Sequence, residues 1–201
     1  MSTTRDHILD AAASVMHNRG LGRATTKEIA QAAGLSEAAL YRYFSDKAEL
    51  LMCVIGERLP QLIQLLRDLP GRAGQRTVRA NLEEVARVAL PFYDETLPLA
   101  SSLFAEPELL ARHQASLRAK NAGPHRSAEM LATYIRNEQR LGRINQRVEP
   151  DAVAALVVGS CVGRALVRRF LGEQDSPEAD DRFVKTIVRT LMIGLRPDDK
   201  P

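Results

Sequence analysis

The sequence predicts an all-α fold with a small N-terminal domain followed by a larger helical one. Three observations carry the prediction. Almost every segment longer than ten residues repeats its apolar residues at helical spacing, alternating β-branched strand patterns are missing, and proline or glycine divides the segments. With 201 residues the chain is long enough to bury a sizeable core.

The elements follow in order. Ile8, Leu9, Ala12, Val15 and Met16 form the apolar stripe of a first helix, which Asn18-Arg19-Gly20 is expected to end. Thr25-Thr26-Lys27-Glu28 opens a second helix as a capping box, with Thr25 at the N-cap and Thr26 an equally good alternative. Ile29, Ala30 and Ala33 face inward, and Gly34 supplies a left-handed stop. Ser36 caps a third helix over 36–44. Asp46 caps a fourth, again with a glutamate, Glu49, three positions later. That fourth helix is expected to continue through Val54, Leu62 and Leu66 towards Leu69, kinked at Pro60. Further helices are expected over 75–90, 94–104, 107–120, 125–141, 151–171 and 177–195.

Three short helices, the second and third joined through Ala33-Gly34-Leu35, have the spacing of a helix-turn-helix (about residues 25–44), whose second helix enters a DNA major groove. On a helical wheel Ser36, Leu40 and Phe44 share the inward face, Ala38 and Arg42 point furthest from it, and Ala39 and Tyr41 flank the outer face. Small residues at 38 and 39 let the backbone approach base edges, and Arg42 can reach guanine or a phosphate. Tyr41 and Tyr43 offer hydroxyl donors at the groove edge. Lys47 joins a cation to a helix N-terminus, an arrangement that suits phosphate, and Thr25, Thr26 and Lys27 do the same at the second helix. A plainer explanation stands beside this one, since a Tyr-x-Tyr-Phe cluster also serves as a core edge and some helix-turn-helix units never touch DNA. Charge does not decide between them. Residues 1–50 hold six Lys/Arg and six Asp/Glu, so the +3 of the whole chain is not concentrated there.

The run TTKEIAQAAGLSEAALYRYFSDKAELL, residues 25–51, resembles the DNA-binding domain of the tetracycline-repressor (TetR) family of transcriptional regulators. Thr26, Ile29, Ala30, Ala33, Gly34, Ser36, Leu40, Tyr41, Phe44, Lys47 and Leu50 fall in register with that family's pattern. With the first helix the likeness covers residues 5–52. Tyr43 stands where the family often has histidine, and Asp46 where serine is frequent. The resemblance makes Thr25, Thr26, Lys27, Ser36, Glu37, Ala38, Ala39, Tyr41, Arg42, Tyr43 and Lys47 candidate DNA contacts, in a DNA-binding domain at 1–50 ahead of a ligand-binding and dimerisation domain at 51–201. With alanine at 38 and 39, much of the sequence readout is expected to come through DNA shape.

The same resemblance implies a homodimer, closed by the last two helices of each copy, that senses a small molecule. The residues support that placement independently: Phe183, Ile187, Val188, Leu191 and Leu195 form adjacent ridges, and the run from Ala152 to Gly163, including Val157, Gly159 and Gly163, is apolar nearly all round. An ordinary core helix is the alternative for that run. For the ligand, Leu62, Leu66, Phe92, Tyr93, Phe104, His113, Leu117 and Tyr134 are the candidate pocket residues, a mixture of apolar and polar groups.

Other function classes find little support. The run ended by Arg164 is too short to span a bilayer, which takes about 20 residues, and the N-terminus lacks a secretory pattern, so a cytoplasmic location is expected. Cys53 and Cys161 sit in no metal-spaced cluster, and His7, His17, His113 and His125 form no ligand pair, so neither metal nor cofactor is expected. No nucleophile or phosphate-loop motif is present, which leaves an all-α enzyme or carrier a remote alternative behind a non-inducible DNA-binding or protein-interaction module.

Overall fold

Side-chain caps fix where the N-terminal helices begin, and the rest of the architecture can be followed from them. A computed structural model describes residues 3–19, 24–58, 61–104, 107–119, 123–173 and 176–195. They form α1 (Thr4–Arg19), α2 (Thr26–Ala32), α3 (Glu37–Leu40), α4 (Lys47–Arg58), α5 (Gln61–Asp68), a 3₁₀ turn (Leu69–Arg72), α6 (Val78–Phe104), α7 (Pro107–Ala119), α8 (His125–Arg140), α9 (Pro150–Leu171) and α10 (Pro177–Leu195). No strand occurs among the described residues, so the all-α expectation holds. The chain divides into two units, residues 1–60 with 95–121 and residues 61–94 with 122–201. The boundary read from the sequence at residue 50 falls inside α4, all of which belongs to the first unit.

In the first unit α1 packs on α2 and α4, and α2 on α3. Ile8, Leu9, Ile29, Leu40, Leu50 and Val54 are closed to solvent, each contributing about 1.5–3 kcal/mol of apolar burial. A bidentate ion pair joins α1 to α4: Arg5 donates to Glu57 at 2.7 and 2.9 Å while its guanidinium lies 5.4 Å from the centre of the buried Phe44 ring. That pairing holds the Arg5 guanidinium well above its ordinary pKa.

The second unit packs α8 against α9, α5 and the 3₁₀ turn, and α9 against α10. Arg168 of α9 is buried and ion-paired with Asp94 of α6 and, at 2.8 Å, with Asp180 of α10. Arg164 adds a second bond to Asp180 at 2.9 Å and lies over the Phe183 ring at 5.0 Å. A second polar cluster ties down the loop before α6, where Asn81 donates to the Gln75 carbonyl and to the Tyr134 hydroxyl, and buried Glu138 accepts from the Gly74 amide. Burial pushes the Cys161 thiol up to about 12, so it stays protonated and packs as a small apolar group.

Two expectations are corrected, and a third lies outside the described residues: the kink expected at Pro60 falls between α4, described to Arg58, and α5, described from Gln61. The helices expected at 75–90 and 94–104 are instead the single α6, which runs through Pro91 and Pro98. Pro98 leaves the Asp94 carbonyl without its helical donor, and the Arg169 guanidinium donates to that oxygen instead. The third helix is shorter than 36–44, although its hydrogen bonding continues as turns to Phe44.

By length and composition α9 could cross a membrane. Its stripe of Val153, Ala154, Val157, Cys161 and Ala165 is buried against the unit, however, and Arg164, Arg168 and Arg169 near its end are all hydrogen-bonded within it. This is a helix with one face in a protein core.

Because Leu40 is fully buried beneath α3, Leu40→Ala should cost about 2–5 kcal/mol of stability in urea titration. A loss below about 1 kcal/mol would contradict its place at the centre of that core.

Candidate nucleic-acid interface

The corner between α2 and α3 is built from backbone geometry first. Thr25 is extended (φ −102°), and its hydroxyl accepts the Glu28 amide at 3.2 Å while the Glu28 carboxylate takes the Thr25 amide. These bonds hold the Glu28 carboxyl below its ordinary pKa. Of the two threonines weighed as caps, Thr25 does the work. At the other end Gly34 adopts φ +67°, its amide bonds to the Gln31 carbonyl and the Leu35 amide to Ala30. That paired closure demands a left-handed residue. Ser36 then accepts the Ala39 amide at 3.1 Å and starts α3.

Leu40 and Phe44 anchor α3 from below. Glu37, Ala38, Tyr41, Arg42 and Tyr43 are exposed, and Ala39 is half-buried, as the helical wheel requires. Ser36 is exposed rather than inward, because an N-cap stands outside the helical register. The outer face is thus two small residues edged by two tyrosines, an arginine and a glutamate.

The flanking groups are more constrained than the sequence suggests. Thr26 is buried; its hydroxyl donates to Glu37 Oε1 at 2.5 Å and receives the Tyr41 hydroxyl at 3.4 Å. With the Thr25 hydroxyl spent on the cap, Lys27 is the exposed cation at the start of α2. At α4 the Glu49 amide donates to Asp46 Oδ1 at 2.8 Å, and the Glu49 carboxylate receives the Ser45 amide at 2.7 Å. Beside these capped groups the Lys47 side chain is half-exposed. The link from Thr26 to Glu37, eleven residues apart, and the contact of Arg5 with Phe44 have no local sequence signal.

The candidate pocket residues are divided between the two units. Leu62, Leu66, Phe92, Tyr93 and Tyr134 belong to the second unit, the first two and the tyrosines buried in it, whereas Phe104, His113 and Leu117 belong to the first. Phe104 is 72% exposed. Burial lowers the pKa of His113, and the Asp46 carboxylate opposes that shift. Two concavities of the second unit, of about 730 Å³ beside Arg79, Arg182 and Arg189 and about 330 Å³ beside Gly163 and Phe183, are lined by none of these candidates.

The candidate dimer residues separate by face. Val157, Val188 and Leu195 are buried within the unit, and Phe183, Ile187 and Leu191 are half-buried. The outward stripe of α9 is Leu156, Gly159, Gly163, Val167 and Phe170, of which Phe170 is 83% exposed. A Cβ added at Gly159 or Gly163 would meet nothing within 4 Å.

The model of the tetR family of bacterial regulatory proteins matches residues 8–52, the stretch that holds this corner. Over 201 residues, 98% of this chain and all of the relative, the chain is 24% identical to the HTH-type transcriptional regulator YvkB of Bacillus subtilis. It is 42% identical to the HTH-type transcriptional repressor BepR of Brucella suis over 59 residues, 29% of this chain and 28% of that one. A crystal structure assigned to the TetR-family regulators, from Mesorhizobium loti, superposes with a TM-score of 0.72 at 18% identity, covering 96% of each chain. Over residues 8–52 the chain is thus similar to the tetR family of bacterial regulatory proteins, and along nearly its whole length it shares the all-helical fold of the Mesorhizobium loti structure.

Proposed function

We propose that the chain is a ligand-responsive repressor that binds a palindromic operator as a homodimer and is released by a small molecule. One observation supports the DNA part most strongly: α3 is capped and anchored so that Ala38, Tyr41, Arg42 and Tyr43 are exposed, with Ala39 and Lys47 half-exposed. Alanine methyls allow close approach to thymine methyls, and the surrounding donors suit guanine and phosphate. Lys27, Ser36 and Glu37 complete the proposed contact surface, with Thr25 behind it as the cap of α2 and Thr26 as the buried partner of Glu37.

Dimerisation is supported by the apolar stripe on α9 and the side of α10 that carries Phe183 and Ile187. Exposed apolar side chains around two open glycines suit the close approach of a second copy. Two copies of α3 would then read half-sites one DNA turn apart, about 34–36 Å. A cytoplasmic location follows from the DNA partner. An effector acts in this scheme only by binding the DNA-incompetent arrangement of the dimer more tightly than the competent one.

Selection from a random DNA pool tests the reading: the recovered duplex should be palindromic and bind about 10³-fold or more tightly than a scrambled one at fixed salt. Equal affinity for both would end it. Lys47→Ala should weaken binding to every duplex and reduce the slope of log K against log salt by about one. An unchanged slope would remove its phosphate role. Val167→Glu should give a monomer in sedimentation, whereas a persistent dimer would place the interface away from α9.

A further inference from the structure

The geometry points to Glu37 as the residue that selects a cytosine in each half-site, with Thr26 as the side chain that positions it. This rests on the DNA-binding reading above. Glu37 is the first residue of α3 and its side chain is exposed, yet one of its oxygens is fixed by the hydroxyl of buried Thr26. The Tyr41 hydroxyl donates to that same threonine oxygen at 3.4 Å. Among the described residues the second carboxylate oxygen, Oε2, has no donor, so a fixed, acceptor-only group stands beside Ala38 on the face proposed to meet DNA.

A carboxylate on such a face is unfavourable beside phosphates, which are negative and offer acceptors alone. The major groove does offer it donors, the N4 amino group of cytosine and the N6 amino group of adenine. Adenine sets its amino group next to the N7 acceptor, to which a carboxylate has no hydrogen to give. Cytosine sets its amino group next to C5–H, and so is the better match. Ala38 and Ala39 carry no hydrogen-bonding side chain. Polar readout at this corner therefore falls to Glu37 of α3, an acceptor, and to Arg42 in the turn that follows it, a donor.

The test is random-pool selection with the full-length wild type, Glu37→Ala and Glu37→Gln, each first checked for an unchanged helical spectrum and melting temperature. The wild type should select cytosine at one position of each half-site. In Glu37→Ala that preference should fall about tenfold, while affinity for scrambled duplex rises. Glu37→Gln, which gains a donor for N7, should favour adenine there. Thr26→Val should weaken the preference at that position alone, and Thr26→Ser should restore it. Identical base preferences in the wild type and both Glu37 variants would overturn the assignment and leave the repressor reading standing; a wild type that selects no sequence would overturn both.

Discussion

One backbone angle carries the corner between α2 and α3: Gly34 at φ +67°. No side chain crowds that position, so what excludes other residues is the left-handed conformation, which costs an ordinary L-residue about 1–2 kcal/mol. The reversal places the Leu35 amide on Ala30 and delivers Ser36 to cap the next helix. A helix as short as α3 could not hold itself, since nucleating a single turn is unfavourable. Its shape comes from the Ser36 cap, from Leu40 and Phe44 below, and from the Thr26 hydroxyl at its side. The outward residues can then be small because they do not have to stabilise anything.

The second unit is organised by a charged group that has no water to fall back on. Arg168 is buried between Asp94 and Asp180, and breaking such a pair leaves an uncompensated charge. Arg169 uses the same region differently, donating to the carbonyl that Pro98 cannot serve. Together these arginines fix the end of α9 and leave its other face, from Leu156 to Phe170, apolar and uncovered by the rest of the unit. Proximity of an ionic anchor and an apolar stripe on one helix is what gives α9 its two duties, one in the core and one in the proposed dimer.

Local rules made the N-terminal part readable. Caps at Thr25, Ser36 and Asp46, the glycine stop and the apolar stripe of α1 all depend on residues within four positions of each other, and the structure follows them. Where long-range partners override local preference, the reading failed. Pro91 suggested a helix end, yet α6 passes through it, and a donor from α9 serves the carbonyl that Pro98 frees. The buried role of Thr26 was hidden because its partner Glu37 is a full helix and a turn away. The ligand candidates fared least clearly, since aromatic and apolar residues at helical spacing are core and pocket lining alike, and Tyr134 lies fully buried against Asn81.

In the proposed complex two copies of the chain present α3 to one face of a DNA duplex. Hydroxyl-radical footprinting on a selected duplex tests it most directly. It should show two equal protected patches centred one helical turn apart, about 10–10.5 base pairs, on the same face of the helix. A single patch, or uniform protection along the duplex, would contradict it.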